Sequence, residues 1–257
     1  MKVVIFCGGE GTRLREETEF KPKPLVEIGG MPILWHIMKI YSHYGHKEFI
    51  LPLGYKGEMI KDFFVNFNWK SNDFTLDFRS GDRRIHVNHI LENWKLHLIE
   101  TGLKSMTTLR LHKVKHLLEN DDNFMVTYGD GIADININKL IEFHEKQKKI
   151  VTITGVKVGS KFGIVEVDEN GIANTFKEKP KNSDMVNGGF MVFNKKIFNY
   201  INGENTMLVS SVLPKLAEKG EVAVYKHDGS WFCMDTYRDY LELNKMWEEN
   251  PKWKIWK

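Results

Sequence analysis

Short apolar strand patterns alternate with amphipathic helical patterns along the first part of this 257-residue chain, and this alternation constrains the fold most. Residues 2–7, 48–53, 123–128 and 150–156 are short, apolar runs of the kind that form buried strands. Helical patterns lie between them, including residues 31–44 and the amphipathic pattern at residues 106–118. Strands that alternate with helices predict an α/β fold with a mostly parallel central sheet covered by helices on both faces.

The second half of the chain is less regular. Residues 162–167, 172–176, 185–193 and 222–225 resemble strands, which predicts additional β structure beside the main sheet. No linker-like stretch separates the halves. The sequence therefore predicts a single domain over residues 1–257.

Composition excludes several classes of protein. The formal net charge is +3, without the clustered basic face that nucleic-acid binding requires. The apolar start stops at the glycines that follow Cys7, far short of a membrane span. Two cysteines do not make a disulfide framework, and no signal peptide is recognisable. We therefore expect a cytoplasmic protein that binds neither nucleic acid nor membrane.

A glycine-rich loop, CGGEGTRL, follows the first strand directly. Gly8, Gly9 and Gly11 allow backbone N–H groups to approach an anion closely. Thr12 adds a hydroxyl, and Arg13 adds a permanent charge with a forked set of donors that suits phosphate. A glycine turn that only links a strand to a helix remains an alternative.

Two familiar phosphate-binding motifs do not fit this loop. A P-loop requires Lys-Ser/Thr after its last glycine, where this chain has Thr12-Arg13. The dinucleotide fingerprint requires a third glycine where this chain has Leu14.

Two charged residues are predicted to lie near this loop. Lys23 stands between Pro22 and Pro24, which stiffen the backbone around it, although a solvated surface lysine fits the same pattern. Asp130 follows the strand at residues 123–128, between two glycines, where a turn residue is the alternative. In a parallel sheet, ligands bind at the carboxyl ends of the strands, so the sequence predicts that these segments meet.

Several segments carry a specific family resemblance. The stretches GGEGTRL, KPKPLVEIGGMPILWHIMKIYSHYG, FMVTYGDGIAD, FKEKP and VNGGFMVFN occur in this order along the chain. Together they resemble the sugar-nucleotidyltransferases, also called nucleoside-diphosphate-sugar pyrophosphorylases, and among them most the glucose-1-phosphate cytidylyltransferases. The resemblance implies a Rossmann-like nucleotidyltransferase fold and a metal-dependent reaction of CTP with a phosphorylated acceptor, which releases pyrophosphate. It also implies a homo-oligomer.

The resemblance assigns roles to residues at matching positions. It divides the chain into a nucleotide-binding part, about residues 1–135, and an acceptor-binding part, about residues 136–257. Arg13 and Lys23 would be catalytic and would bind the triphosphate. Further nucleotide-binding residues would be Gly8, Gly9, Gly11, Thr12, Arg110 and Asp130; acceptor-binding residues would be Tyr128, Glu178, Lys179, Asn187 and Gly188; Asp130 and Asp235 would hold Mg²⁺.

Simpler interpretations remain for some of these residues. Asp235 precedes a helical pattern, where it could belong to an N-terminal cap. Lys179 lies in the charged run KEKPK, which is typical of a solvated surface. Asn187 and Gly188 are compatible with a plain turn, and Arg110 with an exposed position on an amphipathic helix.

Departures from the family pattern leave the acceptor open. Thr108-Leu109 stand before Arg110, where cytidylyltransferases usually have two glycines. The segment NTMLVSSVLPKL, residues 205–216, lacks the glutamates of the Trp-Glu-x-Glu-Pro-Leu pattern of glucose-specific members, and we assign this segment to the acceptor half. We expect α-D-glucose 1-phosphate as the acceptor. A non-sugar phosphate such as L-glutamine phosphate, in capsular phosphoramidate synthesis, is the alternative, and a non-catalytic nucleotide-sugar-binding subunit is an alternative of a different class.

Overall fold

A computed structural model describes residues 1–86, 92–159, 164–167, 173–177 and 181–256. The strands in these ranges are β1 (Val3–Phe6), β2 (Glu27–Ile28), β3 (Met31–Pro32), β4 (Glu48–Leu53), β5 (Asp73–Leu76), β6 (Arg83–His86), β7 (Lys95–Glu100), β8 (Asn123–Tyr128), β9 (Gly131–Ala133), β10 (Val151–Gly159), β11 (Ile164–Val167), β12 (Ala173–Lys177), β13 (Lys181–Asn194), β14 (Val222–His227) and β15 (Trp231–Cys233). The α-helices are α1 (Arg15–Thr18), α2 (Ile33–His43), α3 (Gly57–Val65), α4 (Phe67–Ser71), α5 (Thr107–Lys113), α6 (Ile137–Gln147), α7 (Leu208–Glu218) and α8 (Tyr237–Glu249).

Seven strands form the central sheet, in the order β14-β10-β13-β8-β1-β4-β7. The neighbouring pairs β1–β4, β1–β8, β4–β7 and β10–β14 are parallel. Only β13 runs antiparallel to its neighbours, β8 and β10. The predicted α/β fold with a mostly parallel central sheet is therefore confirmed.

Strand β1 shows why the sheet needs cover on both faces. Val3 and Ile5 belong to one apolar cluster, whereas Val4 and Phe6 belong to the other. Successive side chains of a strand point to opposite faces, so a wholly apolar strand requires a hydrophobic layer on each side. Helix α2 contributes to the first layer, and helices α5 and α7 contribute to the second.

The order of the strands brings three loops together at the carboxyl edge of the sheet. Strand β1 lies between β4 and β8, so the carboxyl ends of these three parallel strands are adjacent. The glycine loop follows β1, Gly54 follows β4, and Gly129-Asp130 follows β8. Gly129 N donates to Phe6 O at 3.2 Å, which joins two of these loops directly. The glycine loop and Asp130 thus meet, as the parallel sheet predicted.

Some predicted elements differ from the structure. Helix α2 begins at Ile33, because Met31–Pro32 is extended and pairs with β2. The helix predicted over residues 106–118 ends at Lys113 and continues as a 3₁₀ turn at Lys115–Leu117. Strands β6, β9 and β15 were not predicted, since each has three or four residues and pairs only with one other short strand. Of the additional β structure predicted for the second half, β11 and β12 form a separate antiparallel pair, whereas β13 and β14 are strands of the central sheet itself.

The C-terminal segment after α8 packs into the core through aromatic rings. Trp253 is completely buried, and its ring lies 5.7 Å from that of Phe232 and 6.2 Å from that of His36, between centroids. Burial lowers the pKa of His36 to about 4, so this histidine is neutral near pH 7. The segment is therefore an integral part of the core on the α2 face. Among the described residues, no helix is long and apolar enough to cross a membrane.

The substitution Trp253→Ala is expected to lower the free energy of unfolding by about 3–5 kcal/mol, because it leaves a cavity in a fully buried site. Urea unfolding followed by circular dichroism measures the change. Leu241→Ala is the control, since Leu241 is 52% exposed on α8 and should change the value by less than about 0.5 kcal/mol. Equal effects of the two substitutions would contradict the packing of Trp253.

Candidate active site

A cavity of about 420 Å³ opens at the carboxyl edge of the sheet. It lies where β1 and β8 end, beside the N-terminal part of α5. Both apolar and charged side chains reach it. The residues that line it are Phe6, Cys7, Gly8, Gly9, Gly11, Arg13, Lys23, Pro24, Ser105, Met106, Thr107, Arg110, Tyr128, Gly129, Asp130 and Met207.

The glycine loop forms one wall of this cavity and is shaped by local constraints. Gly11 has a φ of 65°, a left-handed conformation that favours glycine. A Cβ atom at Gly11 would also lie 2.9 Å from Thr18 and 3.2 Å from Lys23. Thr18 Oγ1 donates to Gly11 O at 3.1 Å and to Leu14 O at 2.9 Å, which ties the loop to α1.

Arg110 holds the other end of the glycine loop from behind. Its Nη1 donates to Leu53 O at 2.7 Å, and its Nη2 donates to Gly8 O at 2.8 Å. Only 3% of the residue is exposed, so the alternative of an exposed helix arginine is wrong. Burial lowers its pKa, yet a guanidinium stays charged in proteins. Because these donors are bonded to carbonyl oxygens of the protein, Arg110 sets the shape of the loop. The direct contact of Arg110 with nucleotide stays a prediction.

Lys23, Asp130 and Asp235 form the charged centre of the site. Lys23 Nζ lies 2.7 Å from Asp130 Oδ2 and 2.6 Å from Asp235 Oδ1. The lysine follows β1 in the chain, Asp130 follows β8, and Asp235 precedes α8, so three distant segments converge on one ammonium group. Arg13 Nη1 lies 2.7 Å from Asp235 Oδ2, which extends the network to the glycine loop.

The electrostatics of Lys23 follow from this network. Burial alone would lower its pKa, but the Coulomb attraction and hydrogen bonds of Asp130 and Asp235 outweigh burial and raise the pKa above its ordinary value. The lysine is therefore charged at neutral pH. Arg13 differs in its surroundings, since its side chain is 74% exposed although it is paired with Asp235.

Helix α8 connects Asp235 to the segment that carries Lys23. A capping box begins the helix, in which Thr236 Oγ1 accepts from Asp239 N and Asp239 accepts from Thr236 N. Two turns later, Asn244 Oδ1 accepts from Gly29 N at 3.0 Å and Asn244 Nδ2 donates to Glu27 O at 3.2 Å. The helix is thereby bonded to β2, only a few residues beyond Lys23. Sequence reasoning did not identify Asn244, because nothing local distinguishes it from a surface asparagine.

Two cysteines adjoin the charged centre: Cys7 lines the same cavity as Lys23 and Asp130, and Cys233 lies close to the carboxylates of Asp130 and Asp235. Burial raises the pKa of the Cys7 thiol. Burial, with the nearby carboxylates, raises the pKa of Cys233 to about 12. Both thiols are protonated near pH 7 and are therefore poor nucleophiles.

The predicted acceptor residues are only partly described. Glu178 and Lys179 lie outside the described residues. Asn187 Oδ1 accepts from Gly189 N at 2.9 Å, and Gly188 O accepts from Trp231 Nε1 at 2.7 Å. Residues 187–189 lie inside β13, where its pairing with β10 shifts register, so the plain turn that the sequence also allowed is absent here. Trp231 thus anchors this irregular part of β13, a role that sequence reasoning missed because the two are distant in the chain.

Tyr128 lies between residues 187–189 of β13 and the cavity. A Cβ atom at Gly189 would lie 2.9 Å from the Tyr128 ring, so the glycine permits close packing. Tyr128 also lines the cavity, and burial raises its pKa to about 12. The structure therefore brings together Tyr128 and residues 187–189, which were predicted to bind the acceptor.

Thr12 and the beginning of the segment at residues 205–216 have neighbours that the sequence did not indicate. Thr12 is absent from the described lining of the main cavity and borders a neighbouring depression with Glu10 and Arg15. The segment at residues 205–216 was assigned to the acceptor half. Its first residues are bonded to Thr108 and bring Met207 into the main cavity. Nothing local in the sequence indicates these contacts, and the assignment to the acceptor half stays a prediction.

Comparison with known proteins gives the family. The family model for nucleotidyl transferases matches residues 2–250. The chain belongs to the nucleotidyl transferase family. It is 47% identical over 258 residues to the "Probable glucose-1-phosphate cytidylyltransferase" of Bacillus subtilis (strain 168), and 44% identical over 259 residues to the glucose-1-phosphate cytidylyltransferase of Salmonella typhi. Both alignments cover 100% of each chain.

A solved structure shows the same fold. HddC from Yersinia pseudotuberculosis superimposes with a TM-score of 0.71, covers 96% of this chain and 99% of its own, and is 23% identical. The family predicted from the sequence motifs is therefore confirmed, and the chain is a nucleotidyltransferase. Its site residues remain predictions that rest on the geometry above.

The substitution Gly8→Ala is expected to lower the free energy of unfolding by roughly 2 kcal/mol, because overpacking a buried site typically costs 1–3 kcal/mol. The new Cβ atom would lie 2.1 Å from Arg110 Nη1, so the guanidinium would have to leave its carbonyl partners. Gly9→Ala is the matched control, since a Cβ there meets nothing within 4 Å. Urea unfolding measures both, and equal stability of the two variants would show that Arg110 does not support the loop.

Proposed function

We propose that this nucleotidyltransferase transfers CMP from CTP to α-D-glucose 1-phosphate and releases pyrophosphate, so that CDP-glucose is formed. Two supports are independent of each other. The relatives from Bacillus subtilis and Salmonella typhi carry glucose-1-phosphate cytidylyltransferase names and align over the whole chain. The observation that carries the proposal is the contact of Lys23 with both Asp130 and Asp235 beside a glycine loop.

The cavity suits a nucleoside triphosphate. Gly8 and Gly9 line it with backbone amides, and Arg13 and Lys23 bring two positive charges to the same side. A triphosphate carries several negative charges, so its favoured position is against these groups.

The carboxylates fit a divalent cation. Asp130 and Asp235 approach the same point closely enough for one ammonium group to contact both, and their oxygens are ligands that Mg²⁺ prefers. We therefore propose that these two residues hold Mg²⁺ together with substrate phosphates and water. A bound Mg²⁺ supplies neutralisation of phosphate charge during transfer.

The reaction needs no nucleophile from the protein. A phosphate oxygen of the acceptor forms a bond to the α-phosphorus of CTP, while the bond from that phosphorus to the bridging oxygen breaks and pyrophosphate leaves with the electron pair. Lys23 and Arg13 stabilise the charge that accumulates on the departing phosphates. The raised pKa values of Cys7 and Cys233 support this assignment, since neither thiol is ionised near pH 7.

The acceptor is proposed to bind on the other side of the charged centre. A cavity of about 240 Å³ lies beside Cys233, bordered by Lys157, Trp231 and Glu242. A lysine suits the acceptor phosphate, and a carboxylate suits sugar hydroxyl groups. Asn187 and Gly188 lie next to this region through the hydrogen bond of Trp231 to Gly188.

The setting of the reaction follows from its substrates. CTP and sugar phosphates are cytoplasmic metabolites, so the cytoplasm is the proposed location. A single domain over residues 1–257 and a homo-oligomeric state remain predictions from the sequence and from the family resemblance.

Pyrophosphate release tests the proposed function. CTP with Mg²⁺ and α-D-glucose 1-phosphate is expected to give rapid release, whereas UTP, dTTP and other hexose 1-phosphates should be used slowly, and removal of Mg²⁺ with EDTA should abolish turnover. Turnover with L-glutamine phosphate in place of the sugar phosphate would contradict the proposal that α-D-glucose 1-phosphate is the acceptor. Absence of turnover with every nucleotide would favour a non-catalytic subunit.

The substitution Asp235→Asn is expected to lower kcat roughly 100-fold or more, because it removes charge that the reaction depends on for positioning the phosphates. Asp122→Asn makes the same change next to the start of β8, at the opposite edge of the sheet, where the side chain is 85% exposed. Its kcat should remain close to that of the unchanged protein. Full turnover by Asp235→Asn at saturating Mg²⁺ would remove Asp235 from the site.

A further inference from the structure

The segment at residues 204–208 is bonded tightly to residues 104–108. Thr108 Oγ1 lies 2.7 Å from Glu204 O and 2.6 Å from Thr206 O, and it accepts from Thr206 N at 2.9 Å. Thr108 N also donates to Thr206 O at 3.1 Å. One hydroxyl and its own amide therefore hold three backbone groups of the distant segment.

Side chains on either side of Thr108 reinforce this attachment. Asn205 Oδ1 accepts from Met106 N at 2.7 Å, and Asn205 Nδ2 donates to Lys104 O at 3.0 Å. Leu208 N, at the start of α7, donates to Thr107 Oγ1 at 2.7 Å. The two segments thus form one rigid wall, although about 100 residues separate them in the chain.

This wall presents two methionines to the cavity. Met106 is 44% exposed and Met207 is 40% exposed, and both line the cavity. Each comes from one of the two bonded segments. Exposed methionines at a binding cavity are suited to ligand contact, because the side chain is flexible and its sulfur interacts favourably with aromatic rings.

Gly11 and Gly8 mark two different ends of the cavity. A Cβ atom at Gly11 would lie 3.2 Å from Lys23, whereas a Cβ atom at Gly8 would meet Arg110. Arg110 belongs to α5, which begins directly after Met106. Phosphates are attracted to the end marked by Lys23, so the aromatic base of the same nucleotide is directed to the end that carries the methionines.

We infer that Met106 and Met207 together form the wall against which the nucleotide base packs, so that residues 204–208 determine nucleotide affinity rather than acceptor choice. The inference rests on the proposed function, in which a nucleoside triphosphate is the donor. The side chains of Met106 and Met207 contact the face of the base, and neither offers the base a hydrogen-bonding pattern. The wall therefore strengthens binding of CTP and UTP alike, and other groups must select between them.

The test is equilibrium binding by calorimetry with the full chain and Mg²⁺, in the absence of acceptor. The probes are CTP, UTP and inorganic tripolyphosphate, which lacks base and ribose. Met207→Ala and Met106→Ala should each raise the Kd for both nucleotides roughly fivefold. The Kd for tripolyphosphate should stay unchanged, because its contacts are at the Lys23 end.

Val209→Ala is the matched control. Val209 is 41% exposed on α7, two residues from Met207, but it does not line the cavity. It should leave all three Kd values unchanged. In the double variant of Met106 and Met207, the factor by which the Kd for each nucleotide rises should be smaller than the product of the factors for the two single variants. The reason is that both side chains contact one base.

Each other outcome has a definite meaning. Unchanged CTP affinity in Met207→Ala and Met106→Ala, with normal binding by the unchanged protein, would contradict the packing of these methionines against the base. The proposed function would not be affected. A change confined to the KM for α-D-glucose 1-phosphate would also contradict this packing and return residues 204–208 to the acceptor side. Failure of the unchanged protein to bind CTP at all would instead overturn the proposed function, and this inference with it.

Discussion

The contact of one ammonium group with two carboxylates determines how this molecule is organised. Lys23 Nζ meets Asp130 and Asp235, which belong to segments more than 100 residues apart. Each carboxylate offsets the cost of burying the lysine, and the lysine offsets the repulsion between the carboxylates. The central sheet delivers Asp130, and α8 delivers Asp235. Most of the fold at the carboxyl edge can be understood as the support that keeps these three groups together.

A second cation, Arg110, has a complementary role. It is buried behind the glycine loop and donates to carbonyl oxygens at the ends of two neighbouring strands, at Gly8 and Leu53. Carbonyl oxygens satisfy its donors without cancelling its charge, so the positive potential persists near the loop. The guanidinium of Arg110 therefore adds positive potential behind the glycine loop, while its own donors are bonded within the protein.

The sequence predicted elements well where the physical signal is local. Strands β1 and β8 are short apolar runs that end at glycines, and they were predicted within one residue. Strands β9 and β15 were not predicted, because three residues carry no periodicity and the two pair only with each other. The attachment of residues 204–206 to Thr108 was not predicted, because hydrogen bonds between distant segments leave no local pattern in the sequence.

The amino-acid pattern was sufficient for the fold class and for the chemical groups at the two strand ends, and the order of the motifs was sufficient for the family. The first two properties depend on hydrophobic alternation and on glycines next to charged residues, which neighbours in the chain specify. Which of these groups meet depends on the tertiary structure. It placed Asp235 on Lys23 by bonding α8 to β2 through Asn244, and it brought Met207 beside Met106. Such contacts depend on packing between distant segments, so distance along the chain carries no information about them.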